Sequence, residues 1–409
     1  MRFERSVKVH SMLKEKQIVL GVTGGIAAYK SCELVRLLTK QRAEVRVILT
    51  EHGQRFVTGL TLQTLSGNKV HTDMFSEPDE WEIDHISLAQ TADVLVVAPA
   101  TANVIGKVAS GVCDDLLTTT ICATTAPVIF APAMNTKMWE NPIVQRNVKE
   151  LGDLGYRFVP PGVGELACKD VGVGKMAEPA EILEYIRAEL AEKSLGGRSV
   201  LISAGPTCEP IDPVRHITNR SSGKMGFALA RAARRMGADV RLVTGPVALE
   251  DPPGVETSRV RTSDQMYDEL AKHFPEADLL VMAAAVADVR PAKSEPGKLP
   301  KAKLPDAIKL DRTKDIVTEL GGMRRPGQLI VGFAAETDDM EKRALGKLER
   351  KGLDLIVAND VSRKDIGFET DQNEVVIYSA KSDPVHVPLA DKDDVAEAVL
   401  KEAAKLLPE

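Results

Sequence analysis

The fold is limited most by a regular alternation of short apolar runs with helical patterns. In the first half, the runs that indicate buried strands span 17–22, 44–50, 93–98 and 127–131. A helical pattern over 27–40 lies between the first two runs. Buried β-branched runs separated by helices are typical of parallel sheets that are covered by helices on both faces. The first half therefore predicts a doubly wound α/β domain.

A second series of the same kind follows. Its predicted strands span 199–204, 239–244, 278–283, 328–333, 353–358 and 374–379, and its clearest helices span 226–236 and 391–407. A charged helix over 181–193 and the Gly-containing stretch 194–197 separate the two series. We therefore predict an extension without regular structure (1–16), a first domain (17–193), a linker (194–197) and a second domain (198–409). The Pro- and Lys-rich stretch 290–305 predicts a mobile loop, and such loops often serve as lids.

Charge and cysteine content exclude several classes of protein. A formal net charge of -6 argues against a general nucleic-acid binder, which carries a basic surface. No apolar run reaches the roughly 18 residues that a membrane helix needs, and residues 1–16 lack the apolar core of a signal peptide. The five cysteines contain no C-x-x-C pair, which favours a reducing compartment over a disulfide framework. These features together predict a cytoplasmic protein.

Polar and small residues follow several strands of the first domain. A Gly-rich turn at 21–30 opens the first helix, and its backbone N–H groups could bind a phosphate, although tight turns use glycine in any case. Thr50, 99–103 and 131–135 follow the next three strands. Ligands of open α/β sheets bind at the carboxyl ends of strands, so these residues are candidates for a cofactor site. Thr101 and Asn103 could equally be helix caps.

The segments 21–30, 99–103, 132–135 and 166–168, together with His85, resemble the homo-oligomeric flavin-containing cysteine decarboxylase family. The resemblance covers residues 1–185 and implies FMN bound between the subunits of a trimer. The residues that it places at FMN are Thr23, Gly24, Thr50, Ala100, Thr101 and Asn103. It also implies that His85 is a base beside the flavin, that Asn135 holds the substrate carboxylate, and that Cys168 is the proton donor on a closing loop.

This chemistry explains why the family needs a flavin and a thiol. A cysteine-derived carboxylate cannot lose CO2 directly because the remaining electrons have nowhere to delocalise, and oxidation by the flavin supplies the electron sink. A thiol with a pKa of about 8.5 can return a proton near neutral pH. Taken alone, His85 and Cys168 could each be merely structural. Lys169 and Lys175 stand where the family usually has Gly and Arg, which changes the polar contacts expected at lid closure.

The second domain has its own group of polar strand ends. A long connection, 205–226, follows its first strand, and further polar or small segments lie at 283–288 and 333–337. Lys298 lies in the Pro-rich stretch. Lys347 and Lys351 are four residues apart and so share one helix face, although lysines on a helix are most often only solvated.

These segments resemble phosphopantothenate–cysteine ligase over residues 198–400. The resemblance implies transfer of a cytidylyl group from CTP, with Mg²⁺, to 4′-phosphopantothenate, and displacement of CMP by cysteine. The residues implied at CTP are Ala283, Ala284, Ala285, Asp288, Lys298, Lys314, Asp315, Ile316, Val317, Phe333, Lys347 and Lys351. Arg215 and Asn219 would handle the acyl cytidylate. Residues 313–316 depart from the family's usual Asn-Pro-Asp-Ile. We see no His/Cys/carboxylate cluster for a dedicated metal site, so the metal would arrive with the nucleotide.

The order of the two halves matches that of bacterial and archaeal bifunctional enzymes of coenzyme A biosynthesis. We therefore expect a flavodoxin- or Rossmann-like flavoprotein domain followed by a Rossmann-like ligase domain. The resemblance also implies small-molecule substrates, trimeric flavin domains and paired ligase domains, which could close into a dodecamer. Two alternatives remain: a flavin-dependent decarboxylase or prenyltransferase with another substrate, and a non-catalytic FMN-binding regulator. The ligase half argues against the former, and Cys168 against the latter.

Overall fold

The computed structural model describes residues 5–6, 12–75, 84–165, 171–301, 306–336, 339–360, 370–380 and 382–408. The chain forms two compact units. One consists of Ser11–Ala191, and the other of Glu192–Glu409 together with Met1–His10. Among the described helices, none combines the length and the apolar character that crossing a membrane requires.

The strands in chain order are β1 (Arg5–Ser6), β2 (Gln17–Val22), β3 (Glu44–Leu49), β4 (Val70–His71), β5 (Val94–Ala100), β6 (Val128–Pro132), β7 (Arg157–Phe158), β8 (Gly162–Glu165), β9 (Val171–Lys175), β10 (Ser199–Ala204), β11 (Cys208–Pro210), β12 (His216–Thr218), β13 (Asp239–Thr244), β14 (Glu256–Arg259), β15 (Leu279–Met282), β16 (Val289–Pro291), β17 (Leu310–Arg312), β18 (Leu329–Glu336), β19 (Leu355–Asp360), β20 (Gln372–Ser379) and β21 (Val385–Asp391).

The α-helices are α1 (Ala28–Lys40), α2 (Gly59–Ser66), α3 (Asp84–Thr91), α4 (Ala102–Ala109), α5 (Leu116–Ala123), α6 (Thr136–Trp139), α7 (Pro142–Asp153), α8 (Pro179–Leu190), α9 (Lys224–Arg235), α10 (Ser263–His273), α11 (Ile316–Gly322), α12 (Met340–Arg350) and α13 (Lys392–Ala404). Two short 3₁₀ turns, Gly53–Arg55 and Phe274–Glu276, complete the described helical elements.

The first unit is built on a six-stranded parallel sheet in the order β4-β3-β2-β5-β6-β7. Strand β5 is buried along its whole length, as expected for a central parallel strand covered on both faces. Helices α1 and α8 contribute to the apolar core on one face, and α4, α5 and α7 to the core on the other. The strand order reverses between β2 and β5, which is where ligands bind in folds of this class.

The second unit repeats this arrangement with the parallel order β14-β13-β10-β15-β18-β19. Strand β20 then runs antiparallel to β19, β21 antiparallel to β20, and β1 parallel to β21. Helices α9 and α13 cover one face, and α10, α11 and α12 the other. The predicted fold class, two doubly wound parallel-sheet domains, is confirmed.

Two segments differ from their sequence-based descriptions. The extension 1–16 was expected to lack structure, but Arg5–Ser6 pairs with β21, and Leu13 is fully buried in the core of the first unit. The linker residue Leu195 is also fully buried, and its N–H donates a hydrogen bond to the carbonyl of Met236. In both segments an apolar side chain packs into a neighbouring core, so the backbone is held against that unit.

The stretch 290–305, expected to be a mobile loop, begins as regular structure. Its first residues belong to β16, which pairs with β17, and Pro291 lies opposite Leu310. Glu295 donates a backbone hydrogen bond to the carbonyl of Ile211. The stretch is therefore attached to the second unit at its start, while 302–305 lie outside the described residues.

Candidate active sites

A cavity of ≈ 990 Å³ opens at the carboxyl ends of the parallel strands in the first unit. Its walls come from the segments that follow β2, β3, β5 and β6, and from the end of β9. Of the residues implied at FMN, Thr23, Gly24, Thr50, Thr101 and Asn103 line it. Ala100 does not, because it is fully buried within β5 and contributes its carbonyl to a hydrogen bond from Ala133.

The threonines that line this cavity also form hydrogen bonds to the backbone. Thr23 Oγ1 donates to the carbonyl of Pro99 at 2.7 Å, which ties the end of β2 to the end of β5. Thr50 Oγ1 donates to the carbonyl of Val22 at 3.2 Å. Thr101 caps α4 by accepting a hydrogen bond from the N–H of Val104. The capping and the cavity-lining interpretations of Thr101 therefore both hold.

Gly24 is placed where a side chain has no room. A Cβ at Gly24 would lie 2.4 Å from Cβ of His52, so the turn after β2 can approach the segment after β3 only with glycine. The helix that follows, α1, has no side-chain cap at its N-terminus. Uncapped N–H groups at a helix start that faces a cavity are suited to an anion.

Charged side chains that the sequence analysis did not single out also line the cavity. Lys30 is buried on α1 and forms an ion pair with Glu178 at 2.8 Å. The hydrogen bond from Lys30 holds the pKa of Glu178 below its usual value. Lys107 lies 2.7 Å from Asp114 and 3.3 Å from Asp115, and the hydrogen bond to Asp114 raises the pKa of Lys107. In a sequence, lysines on a helix look like ordinary solvent-exposed residues. Their carboxylate partners come close only in the folded chain.

The three residues implied to act on the substrate have different places. Asn135 lines the cavity and caps α6 through a 2.8 Å hydrogen bond from the N–H of Lys137. His85 lies in α3 and is not part of the wall; its Nδ1 is buried without a hydrogen-bond partner in the described part of the chain. Cys168, with Lys169, lies outside the described residues. The neighbouring Asp84 pairs with Nδ1 of His71 at 2.9 Å.

The base of the β8–β9 hairpin is docked on the segment that carries Asn135. The N–H of Met134 donates to the carbonyl of Gly174 at 3.0 Å. Gly174 has φ +144°, and a Cβ there would lie 2.2 Å from the carbonyl oxygen of Met134. Lys175, the next residue, lines the cavity. Only glycine at position 174 permits this close approach.

In the second unit, the long connection after β10 is a folded structure. It contains the antiparallel pair β11 and β12, and Gly205 and Gly223 at its ends have φ of +70° and +77°. Asp212 organises its tip: the side chain is fully buried and accepts hydrogen bonds from the N–H groups of Val214 and Arg215 and from Nη1 of Arg215 at 2.7 Å.

Arg215 and Asn219 connect this loop to two other segments implied at CTP. Arg215 donates to the carbonyl of Leu299, the residue after the exposed Lys298. Nδ2 of Asn219 lies 3.1 Å from the carbonyl oxygens of both Ala285 and Val286. Buried Thr207 adds a hydrogen bond from the N–H of Ala287 to its hydroxyl. The structure therefore brings the 205–223 loop onto the strand end at 283–287.

The remaining residues implied at CTP lie along the same edge of the sheet. Gly332 pairs with Met282, the last residue of β15, so Ala283 follows the end of β15 beside Phe333, which still lies within β18 and pairs with Val357. The Thr313 hydroxyl donates to the carbonyl of Ala287 at 2.6 Å, and the Thr313 N–H to that of Asp288. Ile316 and Val317 begin α11.

The lysines at this edge come from two segments of the chain. Lys314 lies over the ring of Tyr267, 4.4 Å from its centroid. Lys351, just after α12, pairs with Asp315 at 2.9 Å, and Lys347 lies one turn earlier. Burial raises the pKa of Asp315, but hydrogen bonds from Lys351 and Thr318 outweigh it and keep the pKa below the usual value. No group of three or more metal-ligating side chains occurs among the described residues.

Comparison with known proteins identifies both halves. The family model "Flavoprotein" matches residues 6–191, and "DNA/pantothenate metabolism flavoprotein C-terminal domain" matches residues 195–407. The coenzyme A biosynthesis bifunctional protein CoaBC of Bacillus subtilis is 46% identical over 97% of this chain and 98% of its own length. The CoaBC protein of Vibrio cholerae is 44% identical over 95% and 98%. The chain belongs to the CoaBC family.

One solved structure is also similar to part of this chain. The C-terminal domain of a CoaBC protein is 40% identical and covers 53% of this chain and 98% of that domain, with a TM-score of 0.46. Because CoaBC proteins match nearly the whole chain, the flavoprotein half and the ligase half expected from the sequence are those of the bifunctional CoaBC enzymes, a decarboxylase and a ligase of coenzyme A biosynthesis.

The buried carboxylate of Asp212 gives the ligase half of this CoaBC chain a pH-dependent contribution to stability. Burial raises the pKa of Asp212, but hydrogen bonds from the N–H groups of Val214, Arg215 and Leu299 and the charge of Arg215 hold it below the usual value. A carboxyl with a lower pKa in the folded state stabilises the fold above its unfolded-state pKa of about 3.9. This contribution is lost as the pH falls through the lowered folded-state pKa.

We therefore expect Asp212→Asn to lower the free energy of unfolding by a constant margin between about pH 6 and 8. The margin should shrink at a pH below about 4. Urea titrations of both proteins across this range measure it. Asp239→Asn, at an exposed position in β13, is the control and should change little. A margin that is the same at every pH would show that packing, not charge, stabilises this loop.

Proposed function

We propose that the second unit joins 4′-phosphopantothenate to cysteine at the expense of CTP, and that the first unit decarboxylates the resulting phosphopantothenoylcysteine to 4′-phosphopantetheine with FMN. The observation that supports this most is the placement of two separate polar sites at the carboxyl edges of two separate Rossmann-type sheets, in a chain similar over nearly its whole length to bifunctional CoaBC proteins. Both reactions are placed in the cytoplasm, where the cysteines stay reduced.

The residues of the first cavity suit FMN. The turn at Gly24 and the start of α1, which has no side-chain cap, would offer backbone donors for a phosphate, and Lys30 and Lys175 lie at this end of the cavity, both beside Glu178. The cavity volume lies at the upper end of the range of about 300–1,000 Å³ that small-molecule sites occupy. Thr23, Thr50, Thr101 and Asn103 would contact the flavin, with Ala100 supporting them from β5. Bound there, FMN would supply the two-electron acceptor that the loss of CO2 requires.

Replacement of Gly174 tests whether the hairpin base belongs to this site. A methyl group there meets the Met134 carbonyl and forces a backbone conformation that costs roughly 1–3 kcal/mol. Gly174→Ala should therefore weaken FMN retention and decarboxylation by about tenfold or more, with ligation unchanged. Flavin absorbance of the purified protein and both rates measure this. Gly164→Ala, where the nearest atom is the Lys175 side chain at 3.9 Å, is the control. Equal effects of the two variants would contradict the assignment.

The substrate-directed residues would act around this cavity. Asn135 would bind the carboxylate that leaves, His85 would accept the proton of the substrate thiol, and Cys168 would return a proton after CO2 is lost. His85 does not line the cavity of its own chain, and Ile26 and Tyr29 at the cavity are 62% and 60% exposed. Phe75 is 85% exposed. Grouped exposed apolar side chains mark contact surfaces, and Ile26 and Tyr29 lie together at the cavity.

We therefore infer homo-oligomers in which a neighbouring subunit completes each flavin site, as trimers of flavin domains with paired ligase domains and possible closure into a dodecamer. The molar mass in solution, measured with flavin bound, tests this. A monomer that keeps FMN and decarboxylates would contradict shared sites.

In the ligase site, positive charge has a clear purpose. Attack of a carboxylate on the α-phosphate of CTP brings anions together, so cations must offset their repulsion. Lys298, Lys314, Lys347 and Lys351 would serve the triphosphate, and Arg215 and Asn219 the acyl cytidylate. Ala283–285, Ile316, Val317 and Phe333 would form the apolar and backbone wall, with Asp288 and Asp315 at its rim. Mg²⁺ would arrive with the nucleotide, because the described residues form no metal cage of their own.

Product analysis after mixing the full chain with 4′-phosphopantothenate, cysteine and CTP tests the whole proposal. We expect pyrophosphate, CMP, CO2 and 4′-phosphopantetheine. Accumulation of phosphopantothenoylcysteine without CO2 would contradict the decarboxylase, and absence of CMP would contradict the ligase. We also propose that the units are separable: residues 192–409 alone should ligate and bind no flavin, and folded but inactive protein would argue otherwise.

A further inference from the structure

Helix α10 begins beside the edge of the second sheet where the residues implied at CTP lie. The helix follows β14, a parallel strand, so it starts at the carboxyl edge of the sheet. The N–H of Cys208, in the 205–223 loop, donates to the carbonyl of Arg261 at 2.7 Å. The N–H of Ser263 donates to the buried carboxylate of Glu209 at 2.8 Å. The start of α10 is therefore fixed against the 205–223 loop.

Lys314 is held at the same edge by the residues on either side of it. The hydroxyl of Thr313 donates to the carbonyl of Ala287 at 2.6 Å. Asp315 pairs with Lys351 at 2.9 Å. Because both neighbours of Lys314 are anchored, its backbone has a fixed place, and the direction of its side chain depends on what the ammonium group contacts.

The ring of Tyr267, in the second turn of α10, sets that direction. Nζ of Lys314 lies over this ring, 4.4 Å from its centroid. An ammonium group within about 6 Å of a ring centroid is attracted by the negative face of the π-system. Tyr267 is itself half-buried and packs against the core on this face of the sheet, so the ring has little freedom to move. The lysine side chain is therefore held at this edge before any ligand binds.

An aromatic ring can hold a lysine without neutralising its charge. Lys351 donates to the carboxylate of Asp315, and this ion pair offsets its positive charge. Among the residues that the structure describes, no carboxylate forms an ion pair with Lys314. The usual Asn-Pro-Asp-Ile of the ligase family has proline at this position, so the cation is an addition in this chain. Lys314 can therefore offer an uncompensated charge to an anion.

We propose that Tyr267 is a positioning residue of the ligase site, which holds Lys314 in place for the β- and γ-phosphates of CTP. The inference rests on the proposed function, which places CTP at this edge. These two phosphates carry most of the negative charge of the nucleotide and leave together as pyrophosphate, so a cation there stabilises the leaving group. Ordering a free lysine side chain on binding lowers affinity by about two- to tenfold, and the ring removes part of that loss in advance.

The test measures the binding of CTP and of CMP, each with Mg²⁺, to the full chain with FMN bound, by calorimetric titration. CMP lacks the β- and γ-phosphates and is therefore the matched ligand. Tyr267→Leu keeps an apolar side chain but removes the ring. We expect this variant to bind CTP about two- to tenfold more weakly and CMP with unchanged affinity. Tyr267→Phe keeps the ring and should bind both nucleotides as the wild type does.

Substitution of the lysine shows whether the ring acts through it. Lys314 is exposed, so Lys314→Met leaves the fold intact and tests the charge by itself. This variant should lose at least as much CTP affinity as Tyr267→Leu and no CMP affinity. In the Lys314→Met background, Tyr267→Leu should then have no further effect, because the interaction it removes is already absent.

Several results would overturn the proposal. One is an equal loss of CTP and CMP affinity in Tyr267→Leu, which would make the ring a support of the fold only. Others are a loss in Tyr267→Phe as large as that in Tyr267→Leu, and a full effect of Tyr267→Leu in the Lys314→Met background. Failure of the proposed function would look different, because the wild-type chain itself would then bind no CTP.

Discussion

Asn219→Asp should slow formation of phosphopantothenoylcysteine by about 10²-fold, and slow it more than it slows release of pyrophosphate. Nδ2 of Asn219 donates to the carbonyl oxygens of Ala285 and Val286, both at 3.1 Å. An aspartate cannot donate, so two hydrogen bonds worth about 1 kcal/mol each are lost, and carboxylate oxygens face carbonyl oxygens. The new charge also opposes the negative charge that develops on the acyl oxygen and on departing CMP when cysteine attacks the acyl cytidylate, which is why the second step should slow more.

The measurement compares pyrophosphate release with product formation in single-turnover mixing of 4′-phosphopantothenate, CTP and cysteine. Asn219→Ala separates the two causes, because it removes the hydrogen bonds without adding charge; we expect about a tenfold loss, shared by both steps. If Asn219→Asp slowed both steps equally, Asn219 would be a residue that only holds the 205–223 loop on the strand end.

The central strands could be predicted from the sequence because burial on both faces leaves continuous β-branched runs. The predicted spans 199–204 and 239–244 coincide with β10 and β13. Edge strands leave no such pattern: β14 consists of Glu-Thr-Ser-Arg, and β4 of two residues. Their pairing is decided by the neighbouring strand, which a local pattern does not contain.

Candidate sites could be located from the sequence only as far as strand ends reveal them. The segments after β2, β3, β5 and β6 do line the first cavity. Lys30 was missed because its partner Glu178 is distant in sequence, and Lys107 because its partners Asp114 and Asp115 lie beyond the end of α4, where a helical pattern does not reveal the pairing. The hydrogen bonds of Asn219 likewise span 66 and 67 residues. That a residue lies at a strand end can be inferred from the sequence pattern. Which residue it pairs with depends on the tertiary fold.

Placement also separates His85 from Asn135 in a way that the sequence did not suggest. Asn135 is at the cavity, whereas His85 lies on α3 with a buried Nδ1 that has no partner among the described residues. If a neighbouring subunit brings His85 to the flavin, as proposed above, then His85 and Cys168 act from different segments. In the proposed reaction they also act at different times, because the base is needed before CO2 is lost and the acid after it. Their substitution should therefore stop the reaction at different points.

Cys168→Ser should bind FMN, release CO2 once per site and then stop. Serine is close to cysteine in size but far less acidic, so the step that needs a proton fails, and steady-state decarboxylation should fall by about 10²–10⁴-fold. His85→Asn removes the base for thiol oxidation, which precedes loss of CO2. This variant should release no CO2, and its flavin spectrum should not change. The two variants therefore distinguish a late acid from an early base.

The decisive measurement follows flavin absorbance and CO2 together, under anaerobic and reducing conditions, after a single mixing with phosphopantothenoylcysteine. Cys168→Ser should give one CO2 per site and a loss of visible absorbance that does not recover. Cys113→Ser, which removes an exposed thiol outside the proposed catalytic residues, is the matched control and should turn over normally. Multiple turnovers by Cys168→Ser would remove Cys168 from the mechanism. No CO2 at all would move its role to before decarboxylation, since a late acid is needed only once the carboxylate has left.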